Sequence, residues 1–372
     1  MAISDYLILV KSAYDQAMRI LQISSARSIG GGERHVIDLS SELAKRGHEI
    51  FVAVVAGSPL RERLSRIPGE NIAEFPLRNA LDVSSAVQLA KFVRDSRIEL
   101  MNAHFAKDYP VTAAAARIAG VPFVVTRHVL FPMNRMHRVF LRKVRYVIAP
   151  SNAVAESLRT QGLFPPEKIV TIRYGIDVAR FPEREPNSRD GVCVGSIGNL
   201  DPVKGFDVLI RAASLVTKQI PGVRFTIVGE DRSRDGRNQK ALRELIDEFG
   251  LREVVELAGW SDSVADVLPE FDIFVSASRS ESFGFVIAEA MLTGVPVIAS
   301  ETEGAKEIIS EPSLGKLVPV DSAEKLAEAI SELLNDDRND LARSARRHIV
   351  ENFSLERMID ETESLYRRVA AS

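Results

Sequence analysis

Short apolar runs of strand character alternate with helical stretches along the whole chain, and the alternation starts afresh near the middle. In the first half the strand-like runs are Arg19–Ile23, Glu49–Val55, Leu100–Ala103, Phe123–Thr126 and Tyr146–Ala149. In the second half they are Val192–Ile197, Arg224–Val228, Val254–Leu257, Asp272–Ser276 and Pro296–Ala299. Apolar runs without polar alternation suit parallel strands covered on both faces. The stretches between them carry helical periodicity: Val36, Leu39 and Leu43 fall on one face of Glu33–Lys45, and Gly47 stops that helix. The pattern predicts an α/β chain of two Rossmann-like doubly wound domains facing across a cleft, with ligands at the carboxyl ends of strands. A length of 372 residues gives each domain its own core. The expected domains are 1–181 and 191–352, and the polar, proline-bearing Phe181–Asp190 reads as the linker between them.

Composition narrows the class of partner. A net charge of -3 excludes a basic footprint spread over the molecule, so no nucleic-acid partner is expected. The lone cysteine, Cys193, excludes an intrachain disulfide framework and fits a cytoplasmic setting; its strand-like context suggests an inert buried thiol. No apolar run reaches the length of a membrane-spanning helix. The first seventeen residues lack the basic start and small-residue exit of a secretion signal, which leaves an extension or a short membrane-adhesive segment.

The most specific stretch is Ser280-Glu-Ser-Phe-Gly-Phe-Val-Ile-Ala-Glu-Ala-Met291. It follows a buried-strand run, so Glu281 is expected in the loop at the strand's carboxyl end. A helix then begins near Gly284 and Phe285 and ends near Gly294, with Glu289 one to two turns inside it. The amides at that helix start suit an anion such as a diphosphate. Each half also opens with a strand and a glycine loop, Gly30-Gly31-Gly32-Glu33 and Gly195-Ser-Ile-Gly-Asn-Leu-Asp-Pro-Val-Lys-Gly205. Glycine there lets backbone approach a ligand, although a tight structural turn uses it equally.

These segments together resemble, from about Met18 to about Tyr366, the family 4 retaining glycosyltransferases of glycosyltransferase group 1. The resemblance implies the fold called GT-B, with the last helix, 353–372, packed back on the first domain. It implies a sugar donor carried on a nucleoside diphosphate, with UDP favoured over GDP, and a hydroxyl acceptor, a glycan or glycolipid of the cell envelope. Glu281 would approach the donor sugar's hydroxyls, Lys204 would pair with the diphosphate, and His128 would approach the donor sugar or the acceptor. Glu289 would hold the ribose. Gly284, Phe285, Asn199, Gly31, Gly32, Gly229 and Trp260 would complete the donor site, Trp260 bordering the base. No metal and no obligatory cofactor are implied, and turnover would rest on positioning and charge stabilisation.

The sequence departs from the family pattern in places. Asn199 stands where the family has an arginine, which leaves Lys204 with the helix amides, Arg279 or Arg232 to supply the charge. Glu303 replaces the first glycine of a pair in which Gly304 and the later Glu307 agree, and after Gly229 the family's second glycine is absent, with Asp231 nearby. A core role for Trp260, and a purely structural one for His104, are open. Arg135–Arg145 holds basic residues and no acid, with Val139, Phe140 and Val144 as apolar company. It fits a peripheral contact with anionic lipid on the inner face of the membrane, and equally a helix with a solvated basic face. Other uses of the same fold remain: a phosphorylase, a nucleotide-sugar epimerase, or a non-catalytic sugar-nucleotide scaffold.

Overall fold

The computed structural model describes residues 16–184, 191–336 and 338–371; residues 1–15 of the expected leader, and residues 185–190 of the expected linker, lie outside them. The chain forms two compact units. One comprises the chain up to Gly175 together with Leu355 onward, and the other comprises Ile176–Ser354.

The first unit holds a seven-stranded sheet in the order β3-β2-β1-β4-β5-β6-β7. Its strands are β1 (Arg19–Ser24), β2 (Glu49–Val54), β3 (Ile72–Glu74), β4 (Leu100–Ala103), β5 (Phe123–Thr126), β6 (Val147–Ala149) and β7 (Ile169–Thr171). Every pairing is parallel. The longer helices are α1 (Gly31–Lys45), α2 (Val83–Asp95), α3 (Tyr109–Ala119) and α4 (Asn152–Gln161). Leu21, Ile23, Met101, Ala103 and Val125 point into a core shared with α2 and α3, while Ile20, Val52, Leu100 and Val124 point the other way, toward α1. Two-sided burial is the reason these strands read as unbroken apolar runs.

The second unit repeats the plan with six parallel strands in the order β10-β9-β8-β11-β12-β13. They are β8 (Val192–Ile197), β9 (Val223–Val228), β10 (Val255–Gly259), β11 (Ile273–Ser276), β12 (Val297–Ser300) and β13 (Lys316–Val318). The helices are α5 (Phe206–Gln219), α6 (Arg237–Glu248), α7 (Phe285–Thr293), α8 (Ala323–Asn335) and α9 (Asn339–Asn352). Residues 181–184 pack on this unit: Phe181 is buried, its carbonyl accepts from Arg346, and the Arg184 amide donates to the Thr293 carbonyl at 3.0 Å.

The last helix, α10 (Leu355–Ala370), belongs to the first unit. Its apolar stripe, Met358, Ile359, Leu365 and Tyr366, joins the core on the α1 side of the sheet. Asn102 of β4 donates to the Tyr366 hydroxyl at 2.7 Å. Glu363 binds Arg46 at 2.9 Å and lies 3.2 Å from His48. In each sheet the strand order reverses at one place, between β1 and β4 and between β8 and β11. The carboxyl ends beside such a reversal are where an open parallel sheet leaves a crevice.

Candidate donor and histidine sites

In the second unit the loops after β8 and β11 meet. Lys204 Nζ lies 2.7 Å from Glu281 Oε2, with both side chains mostly covered. The Lys204 turn is held locally, because the Asp201 carboxylate accepts from the Val203 amide at 3.0 Å and its carbonyl from the Lys204 amide at 2.8 Å. Gly205 then takes a left-handed φ of 65°, and a Cβ on it would stand 2.0 Å from the Ala277 carbonyl oxygen. Only glycine lets α5 begin this close to the end of β11.

Glu281 is fixed through its backbone. Its carbonyl accepts from the Gly304 amide at 3.0 Å, at the start of the short helix Glu303–Ile308. Gly284, at φ 99°, precedes α7, and Phe285 opens that helix with its ring edge-on to Phe283 at 5.1 Å. Helix α7 is apolar around most of its circumference and deeply packed, and Glu289 lies fully buried within it. Glu307 is half-buried, while Glu303 is exposed and 3.3 Å from Lys306.

Arg279 does not stand ready as a phosphate cation. Its guanidinium binds both Asp207 oxygens at 2.9 and 2.8 Å, Asp321 at 2.7 Å and the Pro202 carbonyl. Its amide donates to the Val203 carbonyl at 2.7 Å. It is a strut that ties the Lys204 loop to the Glu281 loop. Asn199 is half-buried, and the Gly198 carbonyl beside it lies so close to Gly229 that a Cβ there would clash at 1.8 Å. Trp260 is 54% exposed, which removes the core reading. Its indole N–H donates to Asp262 at 3.1 Å, and the Arg232 guanidinium sits 5.5 Å from the ring centroid. Cys193 is half-buried, its Sγ 3.5 Å from the Thr226 hydroxyl, and burial pushes the thiol up.

In the first unit the carboxyl ends of β1, β4, β5 and β7 deliver a buried polar row. His104 Nε2 lies 2.8 Å from Gln22 Oε1, His104 Nδ1 lies 3.0 Å from His128 Nε2, and His128 Nδ1 meets the Tyr174 hydroxyl. With the Gln22 oxygen as acceptor, one arrangement gives each link one proton, His104 to Gln22, His128 to His104 and Tyr174 to His128, and the Asn102 amide nitrogen lies 3.2 Å from the same His104 Nε2. In that arrangement a proton added to His104 would set its Nδ1–H against the His128 Nε2–H, whereas the Tyr174 hydroxyl can turn to accept from His128, so the row favours a neutral His104 ring. Burial presses the same way, holding His35 down to about 4 and both His104 and His128 well below their ordinary value. Both ring nitrogens of His128 are thus engaged within the protein. The ring also supports the glycine turn, since a Cβ on Gly32 would stand 3.1 Å from His128 Cγ. Gly31 begins α1, and the Glu33 carboxylate turns back to accept from the Gly30 amide at 2.7 Å.

The structure therefore gathers Lys204, Glu281, Gly284 and Phe285 at one strand reversal, and Gly31, Gly32 and His128 at the other. Gln22, Tyr174 and the Arg279 strut are additions that sequence reasoning missed. Gln22 hides in an apolar strand, and Tyr174 follows an edge strand too short to notice.

Comparison with known sequences identifies the architecture. The family described as Glycosyltransferase Family 4 matches residues 29–180, and that described as Glycosyl transferases group 1 matches residues 178–351. The chain belongs to the family 4, group 1 glycosyltransferases. Among similar members of the group, a D-inositol 3-phosphate glycosyltransferase of Rhodococcus erythropolis is 28% identical over 92% of this chain and 87% of the relative. The lipopolysaccharide core biosynthesis glycosyltransferase LpsE of Rhizobium meliloti is 26% identical over 89% and 94%. The fold is GT-B. A glycosyltransferase from Rickettsia africae superposes with a TM-score of 0.87 at 23% identity, covering 95% of this chain and 99% of its own. Anabaena HepE, solved with UDP and glucose, superposes at 0.81 with 24% identity, over 94% and 99%.

Proposed function

We propose that this glycosyltransferase moves a sugar, with retention at the anomeric carbon and without a metal ion, from a nucleoside diphosphate, UDP by preference, to a hydroxyl of a glycan or glycolipid. The observation that carries the donor reading is the Lys204–Glu281 pair beside the start of α7. An ammonium and the amides of a helix start suit a diphosphate, and a carboxylate suits sugar hydroxyls. Lys204 would neutralise the charge that grows on the leaving oxygen as the glycosidic bond breaks. Glu289 would hold the ribose, and Trp260, with its exposed face, would border the base. UDP is favoured because HepE was solved with it. An envelope acceptor is favoured because LpsE acts in lipopolysaccharide core biosynthesis.

For His128 the engaged nitrogens favour a supporting role, behind the Gly31–Gly32 turn, over direct donation to a sugar hydroxyl. Replacing Lys204 with Ala is expected to lower turnover of the donor by roughly 10²–10³ with the fold intact. The assay runs with a chelator present and reads the product's anomeric configuration. Near-normal turnover, an inverted product or loss of activity on chelation would each reject the corresponding part of the reading.

A lipid surface is the proposed partner of the basic segment. Phe131 and Val139 are each 76% exposed and Met136 is 55% exposed. Around them Arg135, Arg138, Arg142, Lys143 and Arg145 all face solvent, whereas Val144 is buried and Phe140 half-buried. Apolar tips ringed by cations fit anionic headgroups, and among the described residues no helix is long and apolar enough to cross the bilayer. The proposal places the enzyme on the cytoplasmic face of that membrane. Sedimentation with phosphatidylglycerol vesicles, lost in Arg138→Glu/Arg142→Glu, is the expected result. Equal sedimentation with phosphatidylcholine vesicles would remove the electrostatic argument.

A further inference from the structure

We infer that Glu281 discriminates the sugar-bearing donor from the spent nucleoside diphosphate, by competing for Lys204 whenever no sugar is present. The inference rests on the donor-site reading above and adds a selectivity to it.

The Lys204 ammonium is matched, at 2.7 Å, by the Glu281 carboxylate. This contact is not what holds the two loops together. Arg279 does that, through Asp207, Asp321 and the Pro202 carbonyl. Each backbone is also pinned separately, the Lys204 turn by Asp201 and the Glu281 carbonyl by the Gly304 amide. The ammonium and the carboxylate can therefore exchange partners by side-chain rotation while the loops stay in place.

A diphosphate that takes Lys204 strands a carboxylate next to its own negative charge. Charges a few ångströms apart in a partly covered site repel strongly compared with thermal energy. A donor that still carries its sugar repairs this, because sugar hydroxyls donate to Glu281 and replace the lost ammonium. The spent diphosphate has no such hydroxyls. It meets an unrelieved carboxylate, and the Lys204–Glu281 pair re-forms as it leaves. The same side chain that receives the sugar thus weakens retention of the product.

The sign of the effect makes it testable. Glu281→Gln keeps the shape and removes the charge, so UDP is expected to bind about tenfold more tightly, ~1.4 kcal/mol. UDP-glucose is expected to gain nothing, and the preference for donor over product collapses. Calorimetry of UDP and UDP-glucose, and of GDP and GDP-mannose, on the wild type and the variant reads this directly. Glu281→Ala gives the same sign should the glutamine variant fail to fold. UDP or GDP that binds the wild type, and binds the variant equally or more weakly, overturns this inference alone. Failure of both diphosphates and both sugar donors to bind the wild type overturns the donor-site reading and this inference with it.

Discussion

Gly304 shows how a residue with no side chain fixes one that matters. A Cβ at that position would stand 2.6 Å from the Phe283 amide nitrogen and carbonyl oxygen, both backbone atoms that cannot turn aside. The glycine is there so that the start of the short helix can lie against the loop carrying Glu281. Gly304→Ala is expected to lower stability by roughly 1–3 kcal/mol, the usual range for overpacking, and to reduce donor turnover with it. An unchanged denaturation midpoint would show that the loop has slack. The expected pairing of Gly304 with a glycine before it is not needed for this contact, because the exposed Glu303 side chain points to Lys306. Lys204 and Glu281 were visible in the sequence as residues of two separate motifs. Their contact was not, since 77 residues separate them and only the adjacency of β8 and β11 brings them together. Arg279 was visible only as a spare cation. Its commitment to Asp207 and Asp321 depends on where α5 and the turn before α8 are placed, which no local pattern records.

At the scale of elements, the strands that sequence reading found are the interior strands of both sheets and one longer edge strand, β10. Ile72–Glu74, Ile169–Thr171 and Lys316–Val318 escaped it. Each is three residues long and lies at a sheet edge, where one neighbour and partial burial suffice and no apolar run is required. The loss of β7 also hid Tyr174, and with it the row that ends at Gln22. That row has a consequence for stability. His35, His104 and His128, and His48 beside Glu363, are all held below the ordinary value of 6.5, chiefly by burial. The unfolded chain therefore binds their protons at higher pH than the folded one does. Stability is full above the unfolded value and falls as pH drops below it, toward about 4 for His35. Asp108, raised by burial to about 6, and Glu33, also raised chiefly by burial, work in the opposite sense, but they are two carboxyls against four imidazoles. The urea midpoint is expected to rise from pH 6 to pH 7, and a flat profile over that interval would contradict the buried, neutral row.

For the whole molecule, the sequence by itself determined that two parallel, doubly wound sheets would form, because strands covered on both faces leave unbroken apolar runs and their connections leave helical periodicity. It also marked the glycine turns and the two-glutamate stretch, since these are local in the chain. Tertiary structure alone decided the rest. The chain leaves its first unit at Gly175 and returns at Leu355, and the return is fixed by contacts such as Tyr366 with Asn102 and Glu363 with Arg46. Each joins side chains more than 250 positions apart. The pairing of Lys204 with Glu281, and the engagement of both His128 nitrogens, are of the same kind. Periodicity is written into neighbouring residues by the geometry of one helix or strand, whereas a hydrogen bond between distant loops exists only once the sheets have set their strand order.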